Sequence, residues 1–280
     1  MKIFNTKSEL NLYVSKLKEQ GHSIGFVPTM GALHQGHLSL ILASKEVNDI
    51  TVVSIFVNPT QFDNQNDLET YPQPLEHDIK LLKSVACDLL YTPSAADVYD
   101  NDVASEAFDF DGLEYEMEGR FRDGHFNGVG TIVEKLFRIV QPDTAYFGEK
   151  DFQQLQIIKK LVEKHRLEIV IEGCPIYREI DGLAMSSRNI RLSPDHRKAA
   201  PFIYKTLMTA KDKLLSNNVI TVKAWVQEQF NKHPHLDLEY FTIADEASLK
   251  DVLHLREGRQ YRAFIAVFAG DIRLIDNIDL

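Results

Sequence analysis

Hydrophobic positions in the first two-thirds of the chain switch between runs with strand character and runs spaced for helices. A short strand at the N-terminus precedes helical spacing, which a Thr6–Glu9 capping box opens and Gly21 stops. Ser23–Val27 predicts a strand, and the apolar run after His37 predicts a helix to about Val47. Ile50–Val57 is apolar nearly throughout and rich in β-branched residues, as expected of a central strand buried on both faces. Strand, helix, strand at this spacing is a βαβ unit, and so predicts a parallel sheet. Further on, Leu75–Val85 predicts a helix, Cys87–Tyr91 a strand, Thr131–Ile139 a helix and Asp143–Phe147 a strand. A helix then carries Phe152, Leu155, Ile158, Leu161 and Val162 on its apolar face, and Glu168–Glu172 closes the series as a last strand. The pattern changes after Pro175. Helical spacing near 198–215 and 222–231 gives way to strands at Leu238–Ile243, Tyr261–Phe268 and Ile272–Asp276, the last two meeting at a Gly270-Asp271 turn. The expected fold class is α/β: a parallel-sheet domain over 1–176, then a smaller α+β domain over 177–280.

Candidate chemistry collects where strands end. The first βαβ strand runs into Pro28, Thr29, Met30, Gly31, Ala32, Leu33, His34, Gln35, Gly36 and His37. A strand that turns sharply into a helix offers free N–H groups and a positive dipole end to an anion such as phosphate. Gly31 and Gly36 leave room for a nucleotide to lie against the backbone. His34 and His37, three apart, share one helix face and can both donate to one phosphate chain. Two other readings stay open here. Such a pair arises by chance, and it also suits zinc, although neither cysteine supplies the further ligands zinc needs.

The device recurs at Gly148-Glu149-Lys150-Asp151, again between a strand and a helix. Glu149 and Asp151 could simply cap that helix, but a lysine in a first turn works against the dipole. One of Gln153 and Gln154 could face the same cleft. Gln61 follows the second strand, at the edge where parallel sheets bind ligands, although a solvated loop glutamine is the plainer reading of its position. A polar loop over 63–72 comes next. Gly119–Gly130 predicts a flexible, basic flap or an ordinary turn region. Met185-Ser186-Ser187-Arg188 places two hydroxyls beside a guanidinium, a combination suited to polyphosphate. His233 and His235 are expected on a surface loop.

Composition narrows the class. The formal net charge is −10 in 280 residues, which argues against a general nucleic-acid binder while allowing a local basic pocket for small anions. No apolar run approaches the roughly 20 residues of a membrane span. The N-terminus is too polar for a signal peptide, so a cytoplasmic location is expected, with Cys87 and Cys174 as reduced core residues.

Taken together, PTMGALHQGH (28–37), SIFVNPTQF (54–62), YP (71–72), GHFNGV (124–129), KLFRIVQPDTAYFGEKDFQQL (135–155) and DGLAMSSRN (181–189) resemble the motifs of the pantothenate synthetase (pantoate–β-alanine ligase) family, within the H-x-G-H nucleotidyltransferases. The resemblance implies a Rossmann-like domain that binds ATP and pantoate over 1–176, and a lid domain over 177–280. It implies that pantoate and ATP form pantoyl-adenylate, and that β-alanine then displaces AMP to give pantothenate. Carried over by position, ATP would meet Met30, Gly31, Ala32, Leu33, His34, Gln35, Gly36 and His37. It would also meet Gly148, Glu149, Lys150, Asp151, Tyr177, Met185, Ser186, Ser187 and Arg188. His37, His34, Lys150 and Arg188 would be catalytic. Gln61 and Gln154 would bind pantoate, and Gln61 β-alanine as well. Mg²⁺ would ride mainly on the ATP phosphates, and the protein would be a homodimer. The loops at 63–72 and 186–190 would close over the intermediate. Two positions depart from the pattern: Tyr177, often a small apolar residue, and Gly130, expected to loosen the start of its helix. The competing readings are another H-x-G-H nucleotidyltransferase and a non-catalytic nucleotide-binding protein.

Overall fold

A computed structural model describes residues 1–62 and 65–280. The chain forms two compact units. One comprises 1–114, 118–149 and 154–175, and the other 115–117, 150–153 and 176–280.

The first unit is built on a six-stranded parallel sheet. Its strands are β1 (Lys2–Phe4), β2 (Ile24–Thr29), β3 (Ile50–Ile55), β4 (Leu89–Tyr91), β5 (Thr144–Gly148) and β6 (Val170–Cys174). They lie in the order β1-β4-β3-β2-β5-β6, every neighbouring pair parallel. The central β2 and β3 are apolar because helices cover the sheet; Phe26, Val27, Val52 and Val53 are wholly buried. The helix Gln35–Val47 packs on this sheet through Leu38, Leu40 and Ile41, with Leu82 and Leu90 in the same core.

Several elements differ from the sequence expectation. Thr6 accepts the Glu9 N–H at 3.4 Å, but Glu9 takes the Thr6 hydroxyl at 2.8 Å, so the Thr6–Glu9 box is not the usual reciprocal pair. Within the loop expected over 63–72, Asp63 and Asn64 lie outside the described residues. The segment Gln65–Glu69 is a short helix, with a Gln65–Glu69 side-chain bond of 3.0 Å across one turn. The segment 119–130 is not a loop. Met117–Phe121 is helical, and a long helix, His125–Val140, begins after Gly124 in the left-handed region. Gly130 lies inside that helix, and the Phe108 and Phe110 rings would stand 3.0–3.1 Å from any Cβ placed there. Close packing against two aromatic rings, not a loosened helix start, accounts for this glycine.

The second unit carries a three-stranded antiparallel sheet of β7 (Asp237–Asp245), β8 (Tyr261–Ala269) and β9 (Ile272–Asp279), in that order. Pro at the first helical position opens a short helix, Pro194–Ala199, and the helical spacing near 198–215 is the separate helix Phe202–Leu214, the two divided at Ala200-Pro201 because proline cannot continue the ladder. Ser193 caps the first by accepting the His196 N–H. Ile203, Leu207, Val222, Val226 and Phe230 of the helices meet Ile243, Ile265 and Val267 of the sheet in one core.

Gly25 shows how closely the first unit packs. A Cβ there would fall 2.1 Å from Ser44 Oγ and 2.7 Å from Asn48 Nδ2. Gly25→Ala should therefore cost about 1–3 kcal/mol through overpacking, read from urea unfolding of the two proteins. An unchanged midpoint would show that the helix can withdraw freely from β2.

Candidate active site

From β2 onward the sheet order has one reversal. From β2 the chain builds outward through β3 and β4, and it returns to the other side of β2 as β5 and then β6. The carboxyl ends of β2 and β5 therefore flank the topological switch point, where open parallel sheets bind ligands. Thr29 and Gly148 are those two ends.

After β2 the chain must reverse within a few residues. Thr29 Oγ1 donates to the Ser54 carbonyl at 2.8 Å and accepts the Gly31 N–H at 3.3 Å. Gly31 (φ 86°) and Ala32 (φ 48°) are both left-handed, and at Ala32 that conformation is strained. Asp78 holds the turn: its Oδ1 accepts the Leu33 N–H at 2.8 Å, and the side chain is buried. Burial pushes its carboxyl pKa up, against the main-chain hydrogen bonds from Leu33 and Ala32. A Cβ on Gly31 would stand 3.0 Å from Ile55 Cγ2 and 3.1 Å from Asp78 Oδ2, so the turn also excludes a side chain there.

The helix starts earlier than the apolar run predicts. His34 is the N-cap, and Gln35–His37 forms the first turn. The two histidines cap that turn together: His34 Nδ1 accepts the Gly36 N–H and His37 Nδ1 accepts the His34 N–H, each at 3.2 Å. Their ring centroids are 4.0 Å apart. Main-chain amides can only donate, so each Nδ1 presents a lone pair and each neutral ring carries its proton on Nε2. Two Nε2–H donors are thereby set side by side at a helix N-terminus. Among the described residues, no group of three His, Cys, Asp or Glu is placed to hold a metal ion, and zinc has no set of ligands here. Burial pushes the Cys87 thiol up to about 12 and Cys174 up to about 11, which keeps both protonated.

Gln61 ends a single 3-10 turn, Pro59–Gln61. Its carbonyl accepts from His125 Nδ1 at 2.8 Å and from Arg122 Nη2 at 3.3 Å. Its side chain is oriented too: Oε1 accepts from Asn58 Nδ2 at 3.1 Å, and Nε2 points to Met30 Sδ at 3.1 Å. Asn58 is buried and held in turn, since its Oδ1 accepts from the Tyr99 and Thr60 hydroxyls and its Nδ2 reaches the Gly128 carbonyl at 3.2 Å. Gly128 permits this approach, because a Cβ there would sit 2.2 Å from the Thr60 carbonyl oxygen. The structure thus brings Met30 and Gln61 together within the unit that carries His34 and His37. Sequence reasoning did not single out Asn58, Asp78, Tyr99, Arg122 or His125. Asn58 and His125 lie inside two of the quoted motifs, while Asp78 carries no local sign of its role.

After Gly148, residues Glu149–Asp151 form a 3-10 turn before the helix Phe152–His165. Gln154 is half-buried on the first turn of that helix. Its neighbour Gln153 is committed elsewhere, donating to the Glu116 carbonyl at 2.8 Å.

In the second unit, Lys150 Nζ lies 3.8 Å from Asp151 Oδ2. Tyr177–Met185 is a tight hairpin in which Tyr177 O accepts the Met185 N–H at 3.0 Å and Arg178 bridges Ala184. The Tyr177 side chain itself is exposed. Ser186 then caps a 3-10 turn, Ser187–Arg191, accepting the Arg188 N–H at 3.3 Å, and Ser187 is buried.

Comparison with known proteins agrees over the whole chain. Residues 2–279 match the family model described as pantoate-beta-alanine ligase. A pantothenate synthetase of Christiangramia forsetii is 53% identical, the match covering 100% of this chain and 99% of that one. One from Flavobacterium psychrophilum is 51% identical over 100% of both chains. Among solved structures, a pantothenate synthetase of Thermus thermophilus superposes with a TM-score of 0.91 at 36% identity, covering 100% of this chain and 99% of that one. The Francisella tularensis pantoate-beta-alanine ligase, described as complexed with beta-gamma ATP and beta-alanine, gives 0.83 at 37% identity, covering 100% and 97%.

Asp78 is the residue whose loss the site geometry should feel most directly. Asp78→Ala leaves the Leu33 N–H buried without its acceptor, at an expected cost of about 1–3 kcal/mol in urea unfolding. Asp78→Asn retains an acceptor oxygen and should lose clearly less. Equal losses in the two variants would mean that the hydrogen bond does not hold the turn.

Proposed function

Since the chain belongs to the pantoate–β-alanine ligase family, we propose that the residues described above carry out the ATP-dependent condensation of pantoate with β-alanine in the following way. The pantoate carboxylate attacks the α-phosphorus of ATP, forming pantoyl-adenylate and releasing pyrophosphate. The β-alanine amine then attacks the acyl carbon. AMP leaves, the amine proton is lost, and pantothenate is the product. Neither step needs an enzymic nucleophile, so the protein's work is positioning and charge stabilisation.

The observation that carries this reading is the mutual cap of His34 and His37. It fixes two Nε2–H donors at a helix N-terminus, where the helix dipole already favours an anion. We assign Met30, Gly31, Ala32, Leu33, His34, Gln35, Gly36 and His37 to ATP, with His34 and His37 donating to phosphate oxygens as negative charge builds on the leaving pyrophosphate. Gly148, Glu149, Lys150, Asp151, Tyr177, Met185, Ser186, Ser187 and Arg188 are further ATP contacts. Lys150 and Arg188 supply positive charge, Arg188 with the bidentate geometry phosphate prefers. Gln61 and Gln154 read the pantoate hydroxyls, and Gln61 also meets β-alanine. Asn58 supports that role by fixing which end of the Gln61 amide is presented.

Residues 1–176 are proposed as the ATP- and pantoate-binding domain and 177–280 as the lid that shields a hydrolysable adenylate. Mg²⁺ is proposed to bind through ATP phosphate oxygens and water, its usual habit. The Asp151 carboxylate already faces the Lys150 ammonium at 3.8 Å, so the ion is assigned to the nucleotide's own oxygens. A homodimer and a cytoplasmic location complete the proposal. No helix among the described residues is long and apolar enough to cross a membrane.

Pantoate-dependent exchange between pyrophosphate and ATP, measured without β-alanine, tests the first step. Exchange should require pantoate, and adding β-alanine should yield AMP and pantothenate. Exchange that ignores pantoate would reject the adenylate mechanism. His37→Ala should lower the exchange rate roughly 10²-fold, since it removes a placed donor from developing charge. A folded His37→Ala protein with near-normal exchange would remove His37 from the chemistry.

A further inference from the structure

Two adjacent residues of β9, Asp276 and Asn277, are buried, polar and unused by the mechanism above. They stand in the core strand layer of the second unit, where an unpaired polar group is costly. Each is engaged with a segment assigned to ATP. Asn277 Nδ2 donates to the Lys150 carbonyl at 2.9 Å, and its Oδ1 accepts from Arg262 Nη1 at 2.8 Å. Arg262 is held in place by Glu246 at 2.8 Å and by the Phe152 ring, whose centroid is 4.1 Å from the guanidinium carbon. Asp276 takes both arms of Arg178, at 2.7 and 2.9 Å. The same guanidinium donates to the Gly182 carbonyl at 3.1 Å and stacks on Tyr204 at 3.7 Å, so it clamps the Tyr177–Met185 hairpin that leads into Ser186–Arg188.

Neighbouring strand residues project to opposite faces, which lets one short stretch of β9 reach two separate elements. We propose that Asn277 is a positioning residue for the adenylation step. It fixes the main chain of Lys150 from β9, while Asp276 beside it fixes the hairpin that carries Ser186–Arg188 through Arg178. The proposal rests on the role assigned above to Lys150. Burial pushes the Asp276 carboxyl up, while Arg178, the Asn277 N–H and the Lys150 charge oppose that shift, so Asp276 also senses the lysine's charge. A lysine ammonium is a flexible point charge on a long stem, and a fixed carbonyl at its own residue limits where that stem can start. A misplacement of about 1 Å in such a group costs as much as 10²-fold in rate.

The test is a double-mutant cycle read by pantoate-dependent pyrophosphate exchange. Asn277→Asp keeps Oδ1 for Arg262 and removes the donor to Lys150, whereas Asn277→Ala removes both. Both variants should lower the exchange kcat about tenfold when each is assayed well below its own thermal midpoint, where the protein is folded. In a Lys150→Ala background the Asn277→Asp cost should vanish, because the group it positions is gone. Equal costs in both backgrounds, or an Asn277→Asp protein with the parent's kcat, would overturn the inference while leaving the role of Lys150 intact. A Lys150→Ala protein with the parent's rate would overturn the role of Lys150, and the inference with it.

Discussion

The site depends first on a tight reversal after β2. A parallel strand must hand over to a helix whose first turn lies at the sheet edge, and the chain achieves this with two successive left-handed residues, Gly31 and Ala32. Only the glycine adopts that conformation without strain. The Asp78 carboxylate, buried beneath the turn and accepting the Leu33 N–H, offsets the strain at Ala32. If the turn relaxed, His34 would leave the N-cap position, and the pair of Nδ1 bonds that orients both imidazoles would go with it. The orientation of the two imidazoles is thus secured by residues outside the pair itself.

The same economy governs Gln61. Its carbonyl is held by His125 and Arg122, its amide by Asn58, and Asn58 by Tyr99, Thr60 and the Gly128 carbonyl. An amide free to flip would present a donor or an acceptor at random. A fixed one distinguishes a hydroxyl from its absence, because the unmatched group would be left without a partner.

Much of this was legible in the chain. β-branched runs at Ile50–Val57 and the βαβ spacing led to the parallel sheet, and the motif around His34 and His37 lies at the carboxyl end of β2, as its position after a strand suggests. What escaped was mostly long-range. Asp78 lies 45 residues from the Leu33 amide it binds. Nothing in LEHDIKLL marks that aspartate as buried rather than capping its own helix. Glycines misled for a related reason. In GRFRDGHFNGVG they suggest a pliable loop, yet Gly128 and Gly130 sit in a long helix because a carbonyl and two phenyl rings press against it. A residue chosen for what a distant segment needs looks, locally, like a residue chosen for flexibility. The start of the helix at Gln35 was obscured differently: a histidine is not a usual N-cap, and only its Nδ1 geometry reveals it.

The contact between Asn277 and Lys150 spans 127 residues. A ribosome therefore exposes the Lys150 turn long before it finishes the strand that fastens it. N-terminal parts of a chain begin to fold while the rest is still being made. The parallel sheet and its histidine turn can form on the nascent chain, but Lys150 lacks its β9 anchor until synthesis has passed residue 277. A chain interrupted before residue 277 lacks the hydrogen bond that fastens the Lys150 main chain. Order of synthesis thus sets the order of fastening: the contact that holds the Lys150 main chain arrives among the last parts of the molecule, long after the turn it holds has been made.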